Sequence, residues 1–333
     1  MAVTLKDIAT RAGVTSATVS MVINNKPNIS EATRKKVLKI VSELNYYPNV
    51  AARGLATRRS NSIGVIVPNL ASSFVVRILQ GIKSTNRDVE YTVQLFDTIG
   101  QKENETQLFR RLAREQRIDG VILIGTTVPD EELKVFRDEA VPCVLVARRC
   151  TTLSAVYVNN RQGASDATDY LVDKGHKGIA CVICRKQNLP TEERLAGYTD
   201  SLKKHGITPN DQLIHEVADD DIREGLTVFN RIHDGIKAGQ VSAVFVPAGD
   251  MVAIGIIKAA KKAGVAVPDD LAVVGYDDIP AAEVIEPTLT TVRQPKLEMG
   301  DFAINMIVDA IEGTEKAIKG KELQTKFIVR ESA

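Results

Sequence analysis

From Ile63 onward the chain alternates short β-branched runs with amphipathic stretches whose apolar positions recur at helical spacing. The first series reads IGVIV, a helix near Phe74–Asn86, TVQLF, a helix near Glu103–Glu115, GVILI, a helix near Glu131–Glu139 and PCVLV. After AVYVN it restarts with a helix near Ala164–Asp173, IACVI, a helix near Glu193–His205, QLIHE, a helix near Glu224–Ala238, AVFVP, a helix near Met251–Ala263 and LAVVG. Apolar runs separated by helices are strands buried on both faces, so the alternation predicts two similar lobes, each an α/β doubly wound parallel sheet.

The opening residues carry no such runs. Thr4-Leu5-Lys6-Asp7 has the spacing of a capping box, which starts a helix that reaches about Ala12 before Gly13 breaks it. A second helix over about Ser16–Asn24 takes Thr15 as its N-cap, and a third begins after Ser30 and runs to about Leu44, burying Val37, Leu38, Val41 and Leu44. Ala9, Gly13 and Val19 stand where two crossed helices need a small residue, a turn and an apolar anchor, which makes this an all-α helix-turn-helix head.

Charge gives the head a purpose. Up to Ser60 there are ten Lys and Arg against three acidic residues, a net of +7, while the remainder carries −6. A basic helical head on a nearly neutral chain points to DNA. Its second helix would present Ser16, Ala17, Thr18, Ser20 and Met21 to the major groove. Thr15, Asn24, Asn28 and Thr33 fall near phosphates, and Thr4 and Lys6 add contacts from the first helix. None of the groove-facing residues on the second helix makes the bidentate arginine–guanine contact, so readout rests on thymine methyls and shape.

Composition excludes other classes. The N-terminus lacks an apolar run of signal-peptide length, and no stretch reaches the ~18 apolar residues of a membrane span, so a cytoplasmic protein without membrane contact is expected. Cys181 and Cys184 lie three apart on a strand, hence on opposite faces, which disfavours a disulfide or shared metal; all four cysteines, with Cys143 and Cys150, read as reduced core thiols. There is no glycine-rich phosphate loop and no His-Glu-x-x-His, and His176, His205, His215 and His233 are scattered, so no catalytic residue, metal or cofactor is expected. The run Asp219-Asp220-Asp221 reads as a solvated loop. Ligands of such sheets sit beyond the carboxyl ends of the strands, where this chain places Asn69, Arg148, Asn159, Asp250 and Asp277. Carboxylates and an arginine around a cleft suit a polyhydroxylated ligand.

The segment from TLKDIATRAGVTSATVS through NYYPNVAARGLATRRSNSIGVIVP resembles the opening of LacI/GalR-family transcription regulators. GHKGIACV, ERLAGY, GDMVAIGII and VGYDDIPAAEVIEPTLTTVRQP extend the resemblance over essentially the whole chain. It implies a head over residues 1–47, a hinge helix and linker over 48–61, and a two-lobed periplasmic-binding-protein-like body. The lobes would comprise 62–158 with about 292–320, and 159–291 with about 321–333. The hinge would form in the minor groove of operator DNA, with Asn49 and Ala52 in contact and Leu55 as an apolar wedge.

By the same resemblance Asn69, Phe74, Arg148, Asn159, Arg194, Asp220, Asp250 and Asp277 line an effector pocket. The implied function is a homodimeric repressor of carbohydrate or related catabolic genes on a pseudo-palindromic operator, gated by a small molecule. Departures mark this member. Met21 replaces a common Arg, Asp220 stands where an aromatic ring is usual, Gly249 replaces Asn and Asn159 replaces a frequent Asp. With Arg148, Arg149, Arg161 and Arg194 near the cleft, a sugar or an anionic sugar derivative is expected, and a protein co-repressor is an alternative gate. A solute-binding protein would share the body but not the basic head.

Overall fold

The computed structural model describes residues 3–23, 26–44, 46, 59–86, 91–99, 101–115, 117–184, 189–314 and 317–333. Two compact units divide the chain at Ser60. The hinge residues Asn49, Ala52 and Leu55, and Asn24 at the end of the recognition segment, lie outside the described residues.

The first unit holds α1 (Leu5–Ala12), α2 (Ser16–Ile23) and α3 (Glu31–Glu43) around a core of Ile8, Ala9, Ala12, Val19, Val22, Val37 and Ile40. Leu38 departs from expectation: it is 46 % exposed, whereas Ile40 is buried. The reason is helical phase, since Val37, Ile40, Val41 and Leu44 form one i, i+3, i+4, i+7 stripe and Leu38 falls off its edge.

The second unit begins with β1 (Ser62–Val67), α4 (Ser73–Asn86), β2 (Thr92–Asp97), α5 (Lys102–Glu115), β3 (Gly120–Ile124), α6 (Asp130–Asp138), β4 (Cys143–Val146) and β5 (Ser154–Val158). It continues with α7 (Asn160–Asp173), β6 (Ile179–Cys184), α8 (Leu189–Lys204), β7 (Ile214–Val217), α9 (Ile222–Lys237), β8 (Ala243–Phe245), α10 (Asp250–Ala263) and β9 (Ala272–Asp277). The last elements are β10 (Thr290–Arg293), α11 (Lys296–Glu312), β11 (Gly320–Leu323) and β12 (Lys326–Ile328). They build two six-stranded sheets, ordered β11-β5-β4-β3-β1-β2 and β12-β10-β9-β8-β6-β7. All pairings are parallel except β12 on β10.

In the inner strands successive residues feed different cores, as burial on both faces requires. Val65 packs with Val75, Ile78, Ile304 and Ile307 of α4 and α11, while its neighbour Ile66 packs with Phe109 and Leu112 of α5 and Phe136 of α6. In the second sheet Cys181 faces Tyr198 and Leu202 of α8, and Cys184 lies against the α9–α10 side, so the two thiols do occupy opposite faces.

The structure adds a helix that the strand–helix alternation does not announce. Helix α11 returns the chain to the first lobe and crosses α4 where a Cβ on Gly81 would sit 2.1 Å from the Leu297 carbonyl and one on Gly300 2.2 Å from that of Ile78. Only glycine at both positions allows this approach. The lobe crossings also fall slightly later than residues 292 and 321: β10 stays in the second sheet through Arg293, and β11 pairs with β5 through Leu323.

Candidate DNA-reading head and ligand cleft

In the head, Thr4 and Asp7 form a complete capping box, with the Thr4 amide and hydroxyl donating to Asp7 Oδ2 at 2.8 and 2.7 Å. Those bonds hold the Asp7 carboxyl below its usual range, the Thr4 hydroxyl contributing most. Gly13 then turns the chain at φ 67°, a left-handed conformation that costs glycine nothing. Thr15 caps α2 by accepting from the Thr18 amide at 3.1 Å, and the two threonine hydroxyls lie 2.9 Å apart. At the other end of α2, Arg34 donates to the Lys26 carbonyl at 2.8 Å, tying α3 to the helix exit.

The outward face of α2 carries Ser16, Ala17 and Met21 exposed, with Thr18 and Ser20 half-buried beside them. Residues 16, 17, 20 and 21 form one helical stripe, the geometry of a surface that enters a groove. Lys6 and Asn28 are exposed, and Asn28 takes a left-handed φ of 72°. Thr33 is half-buried, its amide donating to the Ser30 cap at 3.2 Å.

In the body the strand-end residues divide into groups. Asn69 is exposed and turns the chain after β1 by accepting from the Ala71 amide at 2.8 Å, with Phe74 half-buried at the start of α4. Arg148 is only 8 % exposed, and its guanidinium reaches the Val128 carbonyl at 2.5 Å and Asp130. It braces the loop after β3. Asn159 caps α7 through the Gln162 amide at 3.0 Å and donates to Glu322 at 3.3 Å.

A second group gathers at the ends of β8 and β9. Asp250, at the first turn of α10, is fully buried; its oxygens accept from the Ile279 amide at 2.9 Å and the Thr291 hydroxyl at 2.6 Å. A Cβ on Gly275 would lie 2.2 Å from Asp250 Oδ1, so the strand yields space to this carboxyl. Burial, then the Asp277 charge, raise Asp250 well above the usual carboxylate range. Asp277 is 8 % exposed and accepts from Gln294 Nε2 at 2.5 Å. Arg194 stacks 3.8 Å over the Tyr276 ring and donates to Asn160 Oδ1 at 2.9 Å and the Pro247 carbonyl at 2.8 Å.

The acidic run after β7 resolves into separate tasks. Asp221 caps α9 by accepting from the Arg223 amide at 2.7 Å. Asp220 instead caps α10 from outside it, accepting from the Val252 amide at 3.1 Å and from that of Met251. Gly249 precedes α10 at φ 143°, and a Cβ there would fall 2.3 Å from Asp220 Cγ. A carboxylate from the neighbouring loop thus fills the space that a side chain at 249 would need and supplies the cap that Gly249 cannot. Water still reaches much of Asp220, yet surrounding atoms and then the Asp277 charge push its carboxyl up to about 7.

The four arginines near the cleft are all engaged: Arg148 as above, Arg149 with Glu322 at 3.0 Å, Arg161 with Asp200 at 2.6 Å, and Arg194 as above. Sequence reasoning did not single out Gln294, Lys296, Glu193 or Glu322. The strand-end rule that found Asp277 also reaches Gln294, which directly follows β10. Glu193 and Glu322 gain meaning only because the fold brings them to Asn160 and Arg149. Among the described residues, no group of three or more His, Cys, Asp and Glu side chains is placed to hold a metal ion. No helix there is long and apolar enough to cross a membrane.

Comparison with known proteins agrees with this organisation. Residues 4–49 match the model of bacterial regulatory proteins of the lacI family, and residues 168–333 match a periplasmic binding protein-like domain. The HTH-type transcriptional regulator RegA of Clostridium saccharobutylicum is 33 % identical over 100 % of this chain and 99 % of its own. A structure of transcriptional regulator CelR with cellobiose is 30 % identical, covering 99 % of this chain and 100 % of that one, at a TM-score of 0.75. The lac repressor dimer bound to operator and an anti-inducer is 27 % identical, covering 100 % and 99 %, at a TM-score of 0.88. A helix-turn-helix head joined to a two-sheet ligand-binding body over its whole length, the chain belongs to the lacI family of bacterial regulatory proteins.

Proposed function

We propose that this chain is a dimeric, ligand-gated repressor that reads a two-fold operator and is not an enzyme. The observation that carries the reading is the pairing of an exposed Ser16–Ala17–Met21 stripe on a basic head with a cleft whose polar groups end the strands of two lobes. Thr4, Lys6, Thr15, Ser16, Ala17, Thr18, Ser20, Met21, Asn28 and Thr33 serve DNA contact, with Asn24, Asn49, Ala52 and Leu55 assigned from sequence. The protein works in the cytoplasm, where operator and metabolites meet.

Asn69, Phe74, Arg148, Asn159, Arg194, Asp220 and Asp277 form the effector site, and buried Asp250 positions the α10 wall behind it. Because Arg148, Arg149, Arg161 and Arg194 are each held by protein partners, a hydroxyl-rich sugar suits the cleft better than a phosphate. Ligand preference for one lobe arrangement shifts operator affinity by about 5–150-fold, and DNA shifts ligand affinity by the same factor. The test is selection of an operator from random duplex DNA, then a thermal-shift screen of the full chain with sugars and sugar acids. Each hit is added to an operator titration at fixed salt. A sugar that raises Tm and changes operator affinity supports the reading; enrichment of no sequence sinks it.

A further inference from the structure

Lys296 is a buried cation near the cleft whose burial neither packing nor the site above explains. It is 5 % exposed, and loss of water lowers its proton affinity even with Asp277, Asp250 and Asp278 close by. Among the described residues its ammonium pairs with no carboxylate; it donates to the backbone carbonyl of Asp277 and, at 3.4 Å, to that of Asp278. Lys296 opens α11, whose buried face packs in the first lobe, whereas Asp277 ends β9 of the second and Asp278 directly follows it. The bond thus crosses between lobes at the point where the chain itself crosses.

The turn it grips is strained. Asp277 has φ of 112°, in territory that side chains avoid, and Asp278 follows it at φ 54°, a left-handed conformation that aspartate tolerates better than most residues. Four groups hold them there: Lys296 on both carbonyls, Gln294 on the Asp277 carboxylate, and Arg293 and Arg330 on that of Asp278, Arg330 at 2.8 Å. A cavity of about 420 Å³ opens beside Asp278, Arg293 and Lys296, so the clasp has room to rearrange.

We infer that Lys296 and Gln294 form a cross-lobe clasp that stores strain in the Asp277–Asp278 turn and transmits ligand capture at Asp277 to the angle between the lobes. A ligand that hydrogen-bonds the Asp277 carboxylate competes with Gln294, loosens the turn against α11 and releases the second lobe from the first. Lys296 is a positioning residue in this scheme and touches no ligand. The inference rests on the repressor reading for its final output only.

The test compares full-length wild type with Lys296→Met, and with Gln294→Met should the first variant not fold. Hydrogen exchange is read on peptides covering residues 273–279, and affinity on the sequence that the wild-type protein itself enriches from random duplex DNA. Faster exchange in the turn together with a change of about fivefold or more in operator affinity, at unchanged affinity for non-specific duplex, supports the clasp. Faster exchange with operator affinity held within about twofold overturns it, since the tie is then local packing. Unchanged exchange overturns it as well. If the selection enriches no sequence, the repressor reading fails, and exchange still decides whether Lys296 restrains the turn.

Discussion

In the first sheet the sixth strand, β11, runs parallel to β5; in the second, β12 runs antiparallel to β10, and the two strand orders otherwise correspond. The sheets differ more in the charges they bury. The first lobe buries Glu105, which accepts from the Thr98 and Thr126 hydroxyls at 3.3 and 2.8 Å, and Arg148, paired with Asp130. Each of these groups has complementary partners. The second lobe instead sets Asp220, Asp250 and Asp277 within range of one another, and their mutual repulsion adds to desolvation. A scaffold used twice therefore concentrates its carboxylate repulsion in one lobe, although each of the three carboxyls has a hydrogen-bond partner there.

The strongest way to break this comparison is Asp250→Ala. It orphans the buried Ile279 amide and Thr291 hydroxyl, and a loss of about 2–4 kcal/mol in unfolding free energy is expected from the denaturant midpoint. Arg148→Ala in the first lobe should cost less, about 1–2 kcal/mol, because its partner Asp130 is half-exposed and regains water. Equal losses at the two positions would erase the asymmetry.

Asp220→Asn sharpens the comparison through pH. The folded-state carboxyl titrates near 7 against 3.8 when free, so ionisation is penalised by the fold, and that penalty grows from about pH 4 to pH 7 and then levels. The amide variant should be more stable than wild type at pH 8, by about 1 kcal/mol once screening by water is allowed for, and indistinguishable near pH 4. A thermal melt series that finds the variant less stable at pH 8 would show the carboxylate to be a net stabilising cap.

The smallest expected effect lies with the histidines, all four of which belong to the second lobe. Burial holds His176 and His215 below their usual value, Arg231 adding to the effect at His215, so the fold favours their neutral forms. Their contribution is complete above about pH 6.5 and is lost as pH falls through the folded-state values. In an Asp220→Asn background, which removes the opposing carboxyl, rate-corrected hydrogen exchange at pH 5 should rise in β6, β7 and α9 before it rises in the first lobe. Simultaneous loosening of both lobes would refute that order.

Much of this was legible in residue order. The helix positions from Phe74 to Ala263, the Thr4 capping box, the Thr15 and Ser30 caps and the opposite faces of Cys181 and Cys184 follow from local periodicity and hydrogen bonding, which neighbouring residues decide. Helix α11 was less so, because Gly300 and the crossing at Gly81 make sense only against a partner more than 200 residues away. In the site, strand ends pointed to Asp250 and Asp277 alike, though the fold buries one within protein bonds and leaves the other beside the crossover.

By itself the sequence determined the division of labour: a basic three-helix head, two sheets of alternating strand and helix, and polar residues where the strands stop. These are properties of short windows, set by side-chain period, capping and charge. Only the tertiary structure decided which polar groups are still free to act. It spent the four arginines on nearby acids and carbonyls, turned Asp220 into the cap that Gly249 lacks, and drew Lys296 across from one lobe to the strained turn of the other. Such pairings join residues distant in sequence, and their strength depends on burial and geometry that no local pattern encodes.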